Sequence, residues 1–368
     1  MEKPLMSTPS NPSISTLESE TFVNQLISWY EHQRRDLPWR QTNDPYKIWL
    51  SEIILQQTRV KQGMPYYLKF IQQYPTVNDL ADAPESEVLR LWQGLGYYSR
   101  ARNLHACAKT VSNELNGKFP SEFESLLKLK GIGRYTAAAI ASIAFNKPSA
   151  VVDGNVYRVL SRVFGIEDDI SEAKTLKVFE AKANSLIDKK APGEFNQAIM
   201  DFGAMQCTPK SPACAICPMS TFCYAFNTGK QDKLPVKTKK VKVRNRYFYY
   251  FIYEYGNKLL MKERGPKDVW QGLYDFSLFE STESLSEEAI LKEGANQQGL
   301  MVMDISEEVK HVLTHQRIFT RFVRVKVKDL GNFESLSKSK SLKAYELDEV
   351  QELPKPILIQ NYLQKEIF

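Results

Sequence analysis

The sequence predicts a multidomain chain: an all-α core built around a helix-hairpin-helix, followed by a small α+β domain. Three observations over its 368 residues predict this. Helical apolar periodicity runs from Thr21 to Asp201 and is broken at Gly131-Ile132-Gly133. Four cysteines are bunched directly after that helical stretch. Beyond them the composition turns aromatic and β-prone, at Tyr247 to Tyr255.

The glycine break organises the rest. Leu126, Leu127 and Leu129 close one helical run, and Tyr135 to Ile140 opens another. Two glycines two residues apart suit a tight turn with positive φ. Such a turn aims backbone N–H groups outward at a helix N-terminus, which is a seat for phosphate. About twenty residues later Asp153 lies in Val151-Val152-Asp153-Gly154-Asn155-Val156, between apolar residues and a glycine. That is an unusual place for a solvated charge, although a capping aspartate would also read this way.

Composition narrows the class. Hydrophobic content of 43% and 19 Phe suffice for sizeable cores in two or three domains. The net charge of +6 is modest, so its distribution matters more than its size. No apolar stretch is long enough for a membrane span. Residues 1–20 are polar and rich in Pro, Ser and Thr; they lack the apolar core of a signal peptide and are expected to be a disordered tail. Five cysteines, four of them clustered, argue for a metal site in a reducing, cytoplasmic compartment over a disulfide framework.

Taken in order, Thr21 to Gln33 forms an amphipathic helix carrying Phe22, Leu26, Trp29 and Tyr30. Arg34 to Arg40 is a loop with three arginines and Trp39, suited to a pocket wall or a capped turn. Asp44-Pro45 starts a helix expected to continue through Trp49, Leu50, Ile53, Ile54 and Val60. Glu52 sits inside it beside Ile53 and Ile54, and apolar neighbours favour its protonated form. Gln56-Gln57-Thr58 closes the segment with groups able to read base edges.

Gly94 to Arg100 places Tyr97 and Tyr98 on a glycine turn, where an exposed aromatic could stack on bases. Cys107, in the helix Ala101 to Leu115, is expected to be a small core residue. Cys207, Cys214, Cys217 and Cys223 follow a C-x6-C-x2-C-x5-C spacing. With a single C-x2-C knuckle this favours a 4Fe–4S cluster, zinc being the alternative. Residues 228–246 form a linker whose segment Lys230 to Arg246 has eight basic residues and one acid, either a solvated tether or a strand following a DNA backbone. Gly256-Asn257 turns into a second strand, Phe319 to Val327 alternates as another, Gly331 to Lys343 reads as a Ser/Lys-rich loop, and Pro356 to Phe368 as a closing helix.

Collected, the motifs SEIILQQT, GLGYYSR, GIGRYT, VVDGNV, FNQAIMDFGAMQC and the four cysteines resemble the MutY-type adenine DNA glycosylases of the helix-hairpin-helix superfamily. The resemblance is dense over Thr21 to Phe226 and loose beyond. It implies a helix-hairpin-helix DNA glycosylase domain over 21–227 with an iron–sulfur loop at 203–226, and a Nudix-like lesion-recognition domain over 247–368. The acids after Trp270-Gln271-Gly272, namely Glu287, Glu288 and Glu293, do not form the pattern a Nudix hydrolase needs. This module is therefore expected to read DNA without hydrolysing nucleotides.

The resemblance also implies roles. The enzyme would act as a monomer, nucleoid-associated in a bacterial cytoplasm, on double-stranded DNA with A:8-oxoguanine or A:G mispairs. Glu52 would protonate the departing adenine, and Asp153 would stabilise or trap the oxocarbenium-like sugar. Tyr135 and Asn155 would orient these carboxylates. Trp39, Arg40, Leu55 and Gln197 match the adenine pocket. Gln57, Thr58 and Tyr97 match the wedge beside the lesion, and Gly131 and Gly133 the phosphate hairpin. Leu313-Thr314-His315 stands where the family often has Phe-Ser-His, and Lys130 where the hairpin often has proline. The competing readings are an endonuclease III-type glycosylase/lyase, which needs a lysine where Tyr135 stands, and a non-catalytic iron–sulfur DNA-binding protein.

Overall fold

The computed structural model describes residues 16–239, 243–295 and 298–368. Among the described residues, twelve α-helices precede the first strand: α1 Thr16–Gln33, α2 Pro45–Leu55, α3 Val60–Gln73, α4 Val77–Asp82, α5 Glu85–Leu91, α6 Ser99–Glu114, α7 Phe123–Leu126, α8 Arg134–Phe145, α9 Gly154–Phe164, α10 Thr175–Leu186, α11 Pro192–Asp201 and α12 Tyr224–Asn227. The C-terminal part holds β1 Arg244–Tyr255, β2 Lys258–Glu263, β3 Tyr274–Asp275, β4 Ser277–Ser281, α13 Glu287–Gly294, β5 Leu300–Ile305, β6 Val309–Val312, β7 Gln316–Val327, α14 Leu330–Ser339, β8 Lys343–Glu346, α15 Leu347–Glu352 and α16 Ile357–Glu366. No helix among the described residues is long and apolar enough to cross a membrane.

The chain forms two compact units. The first takes the described residues of Met1–Gln56 together with Asn113–Lys239. Its core gathers Phe22 and Leu26 of α1, Ala138 and Ala139 of α8, Val156, Val159 and Leu160 of α9, and Phe195 and Ile199 of α11. The small side chains of α8 let its neighbours approach closely.

The second unit takes Gln57–Ser112 with the described residues of Lys240–Phe368. Its mixed sheet has the order β3-β2-β1-β7-β5, with β4 on β1, β6 on β7 and β8 on β2. β1 and β7 run parallel, with Tyr250 opposite Phe322. Flanked on both sides, β1 buries Phe248 to Tyr253 completely or nearly so. Helices α3 to α6 are tied to this sheet module. Tyr98 Oη donates to the Lys355 carbonyl at 3.3 Å, Arg102 Nη1 to the Gln271 carbonyl at 2.8 Å, and Lys355 N to Gln93 Oε1 at 3.2 Å.

Several expectations are corrected. α1 starts at Thr16, so residues 16–20 of the expected tail are helical, with Glu18 favourably placed in the first turn; residues 1–15 lie outside the described residues. α2 stops at Leu55, before Val60, because Gln57 takes a positive φ of 52° that no helix continues. The expected loop over 331–343 is mostly α14, capped by the Asp329 side chain on Asn332 N and anchored by buried Phe333 and Leu336. Residues 240–242 of the basic linker lie outside the described residues.

Candidate active site

The first unit assembles the candidate catalytic side chains from α2, α8 and α9. Asp44 caps α2 by accepting from Tyr46 N, and Pro45 fits the first turn. That start places Glu52 two turns on, facing inward. The Tyr135 hydroxyl donates to Glu52 Oε2 at 2.6 Å and also meets Met200 Sδ at 3.2 Å. Burial, joined by the Asp153 charge, pushes the Glu52 carboxyl up to about 7 against the opposing Tyr135 hydrogen bond and Arg40 charge.

Asp153 is the N-cap of α9. Its Oδ1 accepts from Asn155 N at 2.9 Å and Val156 N at 2.8 Å, and its Oδ2 from Asn155 Nδ2 at 2.8 Å. Burial raises its carboxyl above the usual range, against these donors. Asn155 Oδ1 accepts in turn from Arg158 Nη2 at 2.8 Å. Arg158 also donates to the carbonyls of Gly203 and Cys207, both at 2.7 Å. Gly203 is required here: a Cβ would fall 2.6 Å from the Asn155 Cβ.

The residues expected to form a base pocket lie in the same unit, Arg40 and Gln197 on one cavity. Trp39 is buried on the turn Pro38–Arg40, and Leu55 is half-buried at the end of α2. Gln197 Oε1 accepts from the Tyr30 hydroxyl at 2.9 Å. Arg40 donates to both oxygens of Asp201, at 2.5 and 2.7 Å. Arg35 joins at Asp201 Oδ1, at 2.5 and 3.1 Å. Although burial opposes ionisation of Asp201, Arg40 and Arg35 prevail and hold its carboxyl below the usual range. This clamp and Arg158 were missed in the sequence. Its signals were an acid in the apolar-periodic run before Gly203, and arginines four apart at 158 and 162 on a buried helix face.

The hairpin differs in one detail. Gly131 has φ +81°, whereas Gly133 is the extended N-cap of α8 with φ −90°, so only the first glycine is required by backbone conformation.

The other candidates fall in the second unit. Tyr97 is 44% exposed with φ +49° on its glycine turn. Its hydroxyl is hydrogen-bonded to Thr314 Oγ1. Thr314 and His315 form the tip of the β6–β7 hairpin, closed by Leu313 N donating to the Gln316 carbonyl at 2.8 Å. These residues line one groove with Trp270 and His311. Arg100 Nη2 donates to Thr58 Oγ1 at 3.5 Å, and its guanidinium lies 5.7 Å from the Tyr97 ring centroid. Gln57, beside Thr58, occupies the bend after α2.

Comparison with known proteins reads these features together. Residues 50–185 match the HhH-GPD superfamily of base excision DNA repair proteins, 207–223 the iron–sulfur binding domain of endonuclease III, and 248–365 the NUDIX domain. The adenine DNA glycosylase of Buchnera aphidicola subsp. Baizongia pistaciae is 35% identical over 321 residues, covering 86% of this chain and 90% of the relative. The chain belongs to the adenine DNA glycosylase family, of MutY type. The human adenine DNA glycosylase is 45% identical over 226 residues, 59% of this chain and 41% of that protein. A solved thermostable thymine-DNA glycosylase is 33% identical with a TM-score of 0.54, covering 58% of this chain and 98% of its own. The enzyme thus acts on adenine in DNA, in base excision repair, and carries an iron–sulfur cluster.

The cysteine loop suits that cluster. Cys207, Cys214, Cys217 and Cys223 line one cavity with Val163, Phe202 and Met219. Arg162, 3% exposed, donates to Cys207 Sγ at 3.4 Å and to the Thr208 carbonyl at 2.7 Å. A buried guanidinium against sulfur suits an anionic thiolate ring. Four thiols around one cavity, in a segment that matches the endonuclease III iron–sulfur domain, fit a multi-iron cluster.

Proposed function

We propose that the enzyme excises adenine mispaired with 8-oxoguanine, or with guanine, by monofunctional hydrolysis. The single observation that carries this reading is the half-buried Glu52 carboxyl, joined to Tyr135 at 2.6 Å and held near neutral pKa with Asp153 in charge range. A carboxylic acid that keeps its proton near pH 7 is matched to protonating a departing base. In this reading the extruded adenine takes its proton from Glu52. Asp153, with its carboxylate oriented by Asn155 and two backbone amides, stabilises the sugar cation or bonds to it, as the second carboxylate of a retaining glycosidase does. Water activated by Glu52 completes hydrolysis. Trp39, Arg40, Leu55 and Gln197 hold the base.

Tyr135 argues against the lyase reading, because a phenol cannot form an imine with the sugar. The cluster is assigned to Cys207, Cys214, Cys217 and Cys223 as a 4Fe–4S group; base removal moves no electron, so its role is to hold the loop. The functional glycosylase domain is taken as 21–227, the enzyme as a monomer, and the hairpin amides at Gly131 and Gly133 as a phosphate seat. Gln57, Thr58, Tyr97, Leu313, Thr314 and His315 are assigned to the lesion side.

The test is a duplex assay with A:8-oxoguanine, A:G and T:G substrates, with and without hot alkali. Adenine release that yields strand scission mainly after alkali supports the proposal. Scission without alkali, or preference for thymine, defeats it.

A further inference from the structure

A second groove in the first unit reaches the catalytic tyrosine from outside. Its walls include Tyr135, Arg134, Lys147, Ser149, Val152 and Asn184. Tyr135 is thus both the donor to Glu52 and part of this wall. The groove carries two cations, each held by a carboxylate. Arg134 makes a two-pronged pair with Glu180, at 2.6 and 2.9 Å, while its guanidinium lies 5.3 Å from the Phe123 ring centroid. Lys147 Nζ lies 2.5 Å from Glu122 Oε1. Arg134 is 52% exposed and Lys147 42%, so neither is committed to the core.

These pairs have a feature that a structural role does not require. Exposed ion pairs contribute little to stability, about 0–1 kcal/mol. A guanidinium fork that binds a carboxylate through two N–H groups fits a phosphate in the same way. The substrate is a polyanion, and a nucleotide whose base is extruded brings its two flanking phosphates to the mouth of the pocket.

We propose that this groove seats backbone phosphates beside the extruded nucleotide, with Glu180 and Glu122 as built-in counter-ions that the phosphates displace from Arg134 and Lys147. The carboxylates then act as a brake: they lower affinity for every duplex and ease release of the product. The proposal rests on DNA binding by the family and does not depend on which base stands opposite adenine.

The test is a salt titration of duplex affinity for the full-length holoenzyme. Each lost phosphate contact lowers the slope of log K against log salt by about 0.9. Arg134→Gln and Lys147→Gln are each expected to lower it by that amount, on mispaired and undamaged duplexes alike. Glu180→Gln is expected to tighten binding about two- to fivefold with the slope kept, since a competing surface pair is removed. The double variant Arg134→Gln/Glu180→Gln separates this from a folding effect, because it removes the internal pair without leaving either charge alone. If the pair only joins α8 to α10, the double variant binds DNA with the wild-type slope, and the proposal is overturned. A slope still reduced by about 0.9, with an unchanged melting temperature, supports it.

Discussion

Replacing Glu52 by Gln separates catalysis from stability, because the two should move in opposite directions. The carboxyl is pushed from 4.5 to about 7, chiefly by burial. At pH 7 about half of it is protonated, against about 0.3% for a carboxyl at its ordinary value, so burial raises the supply of acid about 150-fold. The amide keeps the shape and still accepts from Tyr135, but it has no proton to give. Single-turnover excision from A:8-oxoguanine should fall by about 10²–10⁴-fold, with duplex affinity nearly unchanged. The wild-type rate should decline as pH rises through about 7.

Stability follows from the same raised pKa. The folded pKa lies above the unfolded one, so this group's contribution is fully present below about 4.5 and is lost as pH rises through about 7. A tenfold change in proton affinity is worth about 1.4 kcal/mol, so ionised Glu52 costs the fold about 3 kcal/mol at pH 8.5. Glu52→Gln should therefore melt near the wild type at pH 4.5 and clearly above it at pH 8.5. Two results refute this reasoning: a variant that excises within a factor of a few of the wild type, or a stability difference that does not grow with pH.

Asp153→Asn should lose excision by about 10²-fold or more, while asparagine, itself a good N-cap, keeps α9 formed; normal circular dichroism with turnover retained at pH 7 would leave Asp153 a cap only. Tyr135→Lys should create an imine trappable by borohydride on adenine-containing duplexes; excision without a trapped adduct would mean that this side chain does not face the sugar. Thr314→Ala with His315→Ala should weaken binding of A:8-oxoguanine tenfold or more relative to undamaged DNA, since each lost contact is worth about 1–3 kcal/mol; equal losses on both duplexes would withdraw the lesion-reading role. Iron analysis should find about four irons per chain held by the cysteine loop; one zinc and no iron would overturn the cluster assignment.

What the sequence discloses about such a site depends on how local the physics is. Asp44-Pro45 and Asp153-Gly154 announce themselves because a cap acts on amides two or three residues away. Glu52 is legible because its apolar neighbours share its helix. Asp201 is not, since its partners Arg35 and Arg40 stand 166 and 161 residues earlier. The break after Leu55 is hidden for a different reason: Gln57 takes a left-handed φ, and nothing in Gln56-Gln57-Thr58 advertises one. The grouping of α3 to α6 with the sheet is equally unreadable, because it rests on contacts such as Tyr98 to Lys355 that span 257 residues.

In the proposed mechanism three carboxylates of the first unit, Asp201 buried and Asp153 and Glu52 half-buried, divide the roles among them. All three pay desolvation, which favours the neutral form. Asp201 receives two guanidinium groups, and their charges outweigh the penalty, so it stays ionised. Asp153 is bonded by three N–H donors, which satisfy its oxygens and oppose its rise, with the Arg158 charge helping from behind Asn155. Glu52 is bonded, among the described residues, to one phenol, with Arg40 acting from a distance and already engaged by Asp201. The donors thus order the three groups: a fixed anion that clamps Arg40, an oriented anion suited to a sugar cation, and a proton holder. Moving the Arg40 charge from Asp201 to Glu52 would narrow the difference, because a paired Glu52 would hold its proton less tightly. In the proposed mechanism Asp201 is a positioning residue: it engages Arg40 and keeps that charge from neutralising Glu52.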